Sequence, residues 1–358
     1  MKNTWMTLYH HTPARVVVGL AVMGVALMLT AAGAGRTQNE VPAVPLGLEP
    51  IPWPLDNPYS PEKAELGRLL YFDKRLSVDQ TVACASCHGP GYAFTDGQPV
   101  STGVGGQKGG RSAPTVINSA YNPEQFWDGR APSLEEQAKG PIANPIEMAN
   151  THAEVVRRLQ ASDGYRDRFH AAFGSEQITI DRVGQAIATF ERTILSGNSP
   201  FDRFQAGDRQ ALSPPQQRGM QLFSGKAQCR SCHSGFNYTD GQFANTGIGM
   251  DKSSPDWGRY EVTKREEDRG AFRTPTLREI AHTGPYMHDG SLKTLGEVVE
   301  YYNQGGIRQL NDGSPNRWLD PRIRPLNLTR QEEADLVEFL GALSGEGWQH
   351  AQEPEQFP

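Results

Sequence analysis

Apolar residues recur three and four positions apart in His152 to Leu159, Asp181 to Leu195 and Thr329 to Leu343, the spacing that lines one face of a helix. Capping signals mark where two of these begin. Thr329 has Glu332 three residues on, a capping-box pair, and Asp181 is suited to cap the helix it opens. Long Gly/Pro-rich loops, notably Gly97 to Pro114 and Phe236 to Gly270, separate the periodic stretches. From Gln38 to Asn57 the chain is Pro-rich without helical periodicity, as expected of an N-terminal arm. At the start, Lys2 and Arg15 precede an uncharged stretch from Val16 to Gly35 that ends in Ala32-Gly33-Ala34. That order predicts a secretory signal over residues 1–34, cleaved near Ala34. If it is not cleaved, about 20 residues just suffice to span a bilayer, the one route to membrane attachment.

Beyond the arm the pattern nearly repeats. Leu66-Gly67-Arg68-Leu69-Leu70-Tyr71-Phe72 precedes Cys84, and Arg218-Gly219-Met220-Gln221-Leu222-Phe223 precedes Cys229. Thr95-Asp96-Gly97-Gln98 follows the first run and Thr239-Asp240-Gly241-Gln242 the second. Downstream, Pro114-Thr115 stands 14 residues before Asp128-Gly129, with Leu134 six beyond Asp128. Pro275-Thr276 stands 14 before Asp289-Gly290, with Leu295 six beyond Asp289. Matched offsets predict two copies of one module. The expected fold is mainly α, with two domains related by internal repeat and long loops. The expected division is residues 35–199 and 200–358, set where a helical pattern gives way to Gly-Asn-Ser-Pro.

What each copy carries is set by its cysteines. All 4 cysteines fall in two Cys-x-x-Cys-His runs, Cys84/Cys87/His88 and Cys229/Cys232/His233. In c-type haem attachment two thiols bond the porphyrin and the adjacent His supplies an axial imidazole. A single four-thiolate zinc site, or a pair of redox dithiols, uses the same cysteines. Haem is favoured because each run is followed at once by His, and because His88 and His233 lie 145 residues apart, so the two domains are expected to be cytochrome c-like haem domains. Covalent haem is attached outside the bacterial cytoplasm, so this reading and the secretory signal support one another and predict a periplasmic protein. The 358 residues have a formal charge of −6 with both signs dispersed. That lacks the basic stripe of a nucleic-acid binder and suits a basic protein partner.

The haem runs, Ala113-Pro114-Thr115, Gln125-Phe126-Trp127-Asp128-Gly129-Arg130, Leu134-Glu135-Glu136-Gln137, Pro145-Ile146-Glu147-Met148, Arg273-Thr274-Pro275-Thr276-Leu277 and Pro285-Tyr286-Met287-His288-Asp289-Gly290 resemble the di-haem bacterial cytochrome c peroxidase and MauG family. They cover most of residues 60–345. The resemblance implies two covalently bound haem c groups: the N-terminal one meets hydrogen peroxide, and the C-terminal one passes or stores oxidising equivalents. It implies Glu147 as the distal proton-transfer carboxyl, Gln137 as the distal amide and Trp127 as the indole between the haems. Peroxide heterolysis needs a group that takes a proton from one oxygen and returns it to the other, and a partly dry pocket raises a carboxyl's pKa toward that task. Calcium between the haems is implied at the carbonyls of Thr283 and Pro285, with Ser112 where the family usually has Asn.

Two departures bear on the branch of the family. In many of its peroxidases a His in the loop matching Thr102 to Gly109 caps the first haem, but Val104 stands there and cannot bind iron, so this haem is expected to be open to peroxide without reductive activation. Where those peroxidases have a Met ligand to the second haem, this chain has Tyr302, seven residues after Leu295 as Pro141 is seven after Leu134. Tyr301, Met287 and Met250 are the alternatives. An anionic oxygen donor favours ferric and higher states where a thioether favours ferrous iron, so Tyr302 points to the MauG-like branch and to oxidation of a protein donor or substrate. MauG sends holes through a surface Trp two residues before its second haem motif. Ala227 stands there in this chain, and Trp257 is a candidate replacement. The other expectations are a peroxide-scavenging cytochrome c peroxidase fed by a small cytochrome or cupredoxin, and a non-catalytic electron-transfer cytochrome.

Overall fold

A computed structural model describes residues 41–358; the expected signal over residues 1–34 lies outside them. The described chain is mainly helical. Its helices are α1 (Pro61–Phe72), α2 (Cys84–Cys87), α3 (Leu134–Ala143), α4 (His152–Gln160), α5 (Asp163–Phe173), α6 (Ile180–Glu191), α7 (Pro200–Gln205), α8 (Pro214–Ser224), α9 (Tyr260–Thr263), α10 (Leu295–Gln304) and α11 (Arg330–Gly341). The two-residue strands β1 (Phe243–Ala244) and β2 (Phe272–Arg273) pair antiparallel, Phe243 opposite Arg273. No helix among the described residues is long and apolar enough to cross a membrane.

The helices start where side chains satisfy the free N–H groups of the first turn. Ser60 Oγ accepts from Lys63 N at the head of α1, and Pro61 follows at N1. Thr329 and Glu332 form the expected capping box on α11. Asp181 is not the cap of α6. Thr179 Oγ1 accepts from Arg182 N and the helix opens at Ile180, leaving Asp181 inside the first turn, where it pairs with Lys139 at 2.8 Å. Asp and Thr both cap well, so the local signal alone did not choose between them.

Two hydrophobic clusters organise the packing. In the first, Leu66, Leu70 and Tyr71 of α1 meet Val183, Ile187 and Phe190 of α6. In the second, Phe223 of α8 meets Leu336, Phe339 and Leu340 of α11. Each fully buried Leu or Phe contributes about 1.5–3 kcal/mol. Both crossings are close enough to require glycine. A Cβ on Gly67 would collide with the Ala186 carbonyl and the Phe190 side chain, and one on Gly219 with the Asp335 carbonyl and the Phe339 side chain.

Backbone conformation recurs as well. Asn118, Phe126 and Gly129 are left-handed (φ 59°, 67° and 68°), and so are Glu279, Met287 and Gly290 (φ 59°, 72° and 61°), each 161 residues later. The chain beyond residue 199 does not stay on one side of the expected division. Its C-terminal tail returns to the first cluster, where Ala351 is fully buried and Trp348 packs edge-on against Phe94. Gly197 bridges Glu346, and Arg75 Nη1 donates to the Pro358 carbonyl at 2.8 Å.

Candidate functional site

Each Cys-x-x-Cys-His run borders its own cavity. The first, about 520 Å³, is lined by Cys84, Cys87, His88, Gln137, Pro141, Glu147 and Trp127 among others. The second, about 240 Å³, is lined by Cys229, Cys232, His233, Tyr302, Trp127, Ser112, Thr283 and Pro285 among others. The two cysteine pairs are thus in different cavities, and no group of three or more His, Cys, Asp and Glu side chains suited to a metal occurs among the described residues. A four-thiolate zinc site is therefore excluded by geometry.

Within each run local backbone structure aims the ring. His88 ends the single turn of α2, its N–H donating to the Cys84 carbonyl at 3.0 Å, and its Nδ1 lies 2.9 Å from the Pro114 carbonyl oxygen. His233 N donates to the Cys229 carbonyl, and its Nδ1 lies 3.1 Å from the Tyr238 carbonyl oxygen. A carbonyl at Nδ1 fixes the proton there and leaves Nε2 as the lone-pair donor. Burial pushes both imidazoles below their ordinary pKa, which keeps them neutral and fit to ligate. Burial also raises all four thiols, which disfavours redox-active thiolates. This donor set, two thiols and one neutral imidazole facing a cavity, fits covalent haem c in both places.

Glu147 and Gln137 reach the first cavity from the end and the middle of one stretch. Gln137 is on α3. The chain then turns through Asn144, whose Nδ2 donates to Glu147 Oε1 at 2.7 Å. Burial raises the Glu147 carboxyl, opposed by Asn144 and by the charge of Arg130. Val104 is 5 % exposed, packs in the first cluster, and donates its N–H to the Glu147 carbonyl at 2.8 Å. Gln107 Nε2 donates to the Pro145 carbonyl at 3.0 Å, so the Val104 loop is tied to the Glu147 turn. Pro141, inside α3, lines the first cavity as Tyr302, on α10, lines the second.

The alternatives to Tyr302 separate. Tyr301 is committed elsewhere: its hydroxyl donates to the Thr246 carbonyl at 2.8 Å and accepts from Ile307 N. Met250 is buried beside Gly270, away from both cavities. Met287 lines the second cavity with Tyr302. Burial pushes the Tyr302 phenol well up, so its phenolate needs a cation beside it, as ferric iron provides.

Trp127 lies on the wall common to both cavities. Its Nε1 donates to the Ser112 carbonyl at 2.9 Å, and Ser112 N donates to the His288 carbonyl at 2.7 Å. Ser112, Thr283 and Pro285 share the second cavity. Any calcium there would rest on neutral carbonyl and hydroxyl oxygens. Ala227 is buried against the second cavity. Trp257 is half-buried and packs edge-on against Trp318 at 5.8 Å, and Arg269 lies 4.8 and 5.4 Å from the two rings. A guanidinium over the rings raises the energy of an oxidised indole, which weakens Trp257 as a hole exit.

A buried carboxyl in the first cavity lies outside the sequence reading. Glu191, at the C-terminal end of α6, is 5 % exposed and lines the first cavity, and its Oε2 has no hydrogen-bond partner among the described residues. The neighbouring Arg192 is committed to Glu135, at 2.6 and 3.0 Å. Burial pushes Glu191 up to about 8, against the opposing charge of Arg192. Helical phase was the available signal, since Glu191 is four residues past Ile187 and eight past Val183 on the buried face.

Residues 61–210 match the sequence family described as di-haem cytochrome c peroxidase. The chain is 42 % identical over 301 residues to the methylamine utilization protein MauG of Methylorubrum extorquens, covering 83 % of this chain and 82 % of that protein. It is also 42 % identical over 302 residues to the cytochrome c551 peroxidase of Nitrosomonas europaea, covering 83 % and 85 %. Among solved structures, a MauG-like protein associated with microbial copper homeostasis superposes with a TM-score of 0.78 at 38 % identity, covering 86 % of this chain and 96 % of that one. The two haem-fitting cavities, the motifs that line them and these likenesses together make the chain a member of the di-haem cytochrome c peroxidase and MauG family of oxidoreductases, with two covalently bound haem c groups.

Proposed function

We propose that this chain is a MauG-like peroxidase, which takes hydrogen peroxide at the His88 cavity and oxidises an external protein through the second haem. The observation that carries this reading is the asymmetry of two cavities joined by one wall. Val104, where a capping His would stand, is buried in the first hydrophobic cluster and hydrogen-bonded to the Glu147 carbonyl, whereas a phenol, Tyr302, lines the second cavity. The haem groups, when bound, supply the iron redox chemistry. His88 and His233 would hold them through Nε2, and the Tyr302 phenol would offer the second an oxygen donor that suits ferric and higher states.

Around peroxide, this chain's own groups handle protons and orientation. Glu147 takes the proton from the near oxygen and delivers it to the leaving one, a role for which its half-dry position and raised pKa suit it. Asn144 holds that carboxyl in place, and the Gln137 amide orients the oxidant. Trp127 shortens the path between the two cavities.

Support for two haem modules, residues 35–199 and 200–358, comes from the paired glycine crossings and the backbone recurrence at 161 residues. The C-terminal tail is an addition that fastens the second to the first. Periplasmic location follows from covalent haem and from the signal read in residues 1–34. Calcium at Thr283, Pro285 and Ser112 belongs to the same proposal.

A second reading, a peroxide scavenger fed by a small cytochrome or cupredoxin, is favoured by Ala227, which replaces the family's exit Trp, and by Arg269 over Trp257. Stopped-flow mixing of the as-purified ferric holoprotein with hydrogen peroxide separates the two. Reaction without pre-reduction is expected, and a strict requirement for one-electron reduction beforehand would overturn the MauG-like reading.

A further inference from the structure

Three arginines are buried among the described residues: Arg192, Arg273 and Arg278. Two have carboxylate partners inside the protein. Arg192 is held by Glu135, and Arg278 by Asp202 at 2.8 and 3.0 Å. Arg273, 5 % exposed, has none among the described residues. Its Nε lies 3.4 Å from the Phe126 carbonyl oxygen, and its Nη1 lies 3.1 Å from Asn122 Oδ1 and 3.5 Å from the Thr274 carbonyl oxygen. These are neutral acceptors at long range. Glu124, the acid whose charge acts on it, is itself paired with Arg259 at 3.0 Å.

A charge buried without a partner is strongly unfavourable, because it has given up hydration and gained no opposite charge in return. Burial draws the Arg273 pKa down to about 10, which still leaves it charged at neutral pH, so a counter-charge is called for. Its position says from where. Arg273 lines both cavities, on the same wall as Trp127, whose carbonyl accepts from Arg273 N at 2.8 Å. Pairing of β2 with β1 fixes the backbone there. Of the other cavity arginines, Arg111 holds Asp256 and Asp128, Arg130 holds Asp128 and Arg322 holds Asp320, while Arg324 is exposed and donates to Gln228 Oε1 at 2.7 Å.

We propose that the Arg273 guanidinium is a shared anchor for the carboxylate side chains of the two haem groups, one from each cavity, and so fixes a positive charge between the two irons. A planar fork with several N–H donors suits two carboxylates arriving from opposite sides. The charge favours the reduced state of both irons, since each gains an electron near it. It also disfavours a hole resting on the Trp127 side of the wall, which makes that indole a passage rather than a store.

The test uses the di-haem holoprotein with Arg273→Gln, Arg273→Lys and the exposed control Arg157→Gln. Spectroelectrochemical titration should show both midpoint potentials falling in Arg273→Gln, and neither moving in Arg273→Lys or the control. Resonance Raman should show the haem carboxylate bending bands shifting in Arg273→Gln and Arg273→Lys alike, because lysine keeps the charge and loses the fork. If Arg273→Gln does not load haem, the Raman bands of Arg273→Lys decide alone. Unmoved bands would overturn the anchor, as would a potential shift confined to one haem. Wild-type potentials that track added chloride or acetate would assign the counter-charge to a solution anion and also overturn it.

Discussion

Glu147 and Glu191 are both carboxyls raised by burial at the first cavity, yet their surroundings assign them different work. Glu147 has an amide from Asn144 and the Arg130 charge to stabilise its ionised form, so it can exchange a proton. Glu147→Gln keeps shape and hydrogen bonding but removes that exchange, and it should slow the reaction with peroxide about 10²–10⁴-fold while leaving haem content unchanged, as read by stopped-flow absorbance. Glu191 has no such help on Oε2 and is pushed up to about 8. A carboxyl whose folded pKa is raised prefers the protonated state, so it weakens the fold as pH climbs from its unfolded pKa through about 8. Glu191→Gln should therefore raise the thermal midpoint of the holoprotein at pH about 9 and leave it nearly unchanged at pH about 4. An equal effect at both pH values would show that Glu191 is not the titrating group.

At the scale of elements, helix crossings position the haem runs. α1 meets α6 at Gly67, and α8 meets α11 at Gly219, with backbone carbonyls where a side chain would begin. Gly219→Ala inserts a methyl group against the Asp335 carbonyl, which α11 cannot withdraw without disturbing Phe339 and Leu340. Overpacking of this kind costs about 1–3 kcal/mol, to be read as a lower midpoint in urea. Both glycines lie in the near-repeat visible in the sequence, although close approach itself was not legible there. A glycine inside an apolar helix reads equally as a weak spot. The limits of α6 show the same boundary between local and tertiary information, because periodicity running to Leu195 continued past the helix, which ends at Glu191.

Across the whole molecule, a buried ion pair of the C-terminal half reaches back to the N-terminal arm. Asp202, at the start of α7, pairs with Arg278, and Arg278 Nη2 donates to the Gly47 carbonyl at 3.0 Å, which ties in the N-terminal arm. Burial alone would raise Asp202, but hydrogen bonds and charge from Arg278 outweigh it and hold the carboxyl below its ordinary value. Its share of stability is present above the unfolded pKa and lost as pH falls through the folded one. Asp202→Asn leaves Arg278 buried and unpaired, and should destabilise by about 3–5 kcal/mol at neutral pH, measured by urea denaturation. That loss should shrink in acid, where the wild-type carboxyl is itself protonated.

What the chain's order of residues determined is the covalent chemistry and the family. Each Cys-x-x-Cys-His run is contiguous, so one helical turn suffices to present its thiols and imidazole together; Val104 could be located from the family's loop pattern and Tyr302 by its offset within the repeat. The relation between the two cavities could not be read that way. Trp127 and Arg273 are 146 residues apart and share a wall only because a loop and a short strand from different halves meet there. Whether an arginine is paired is likewise invisible in sequence: Arg273 and Arg278 lie five residues apart in one segment, and only packing gave one of them an acid. Three-dimensional neighbours set the dielectric and the counter-charges, and with them which carboxyls hold protons and where a buried positive charge faces both cavities.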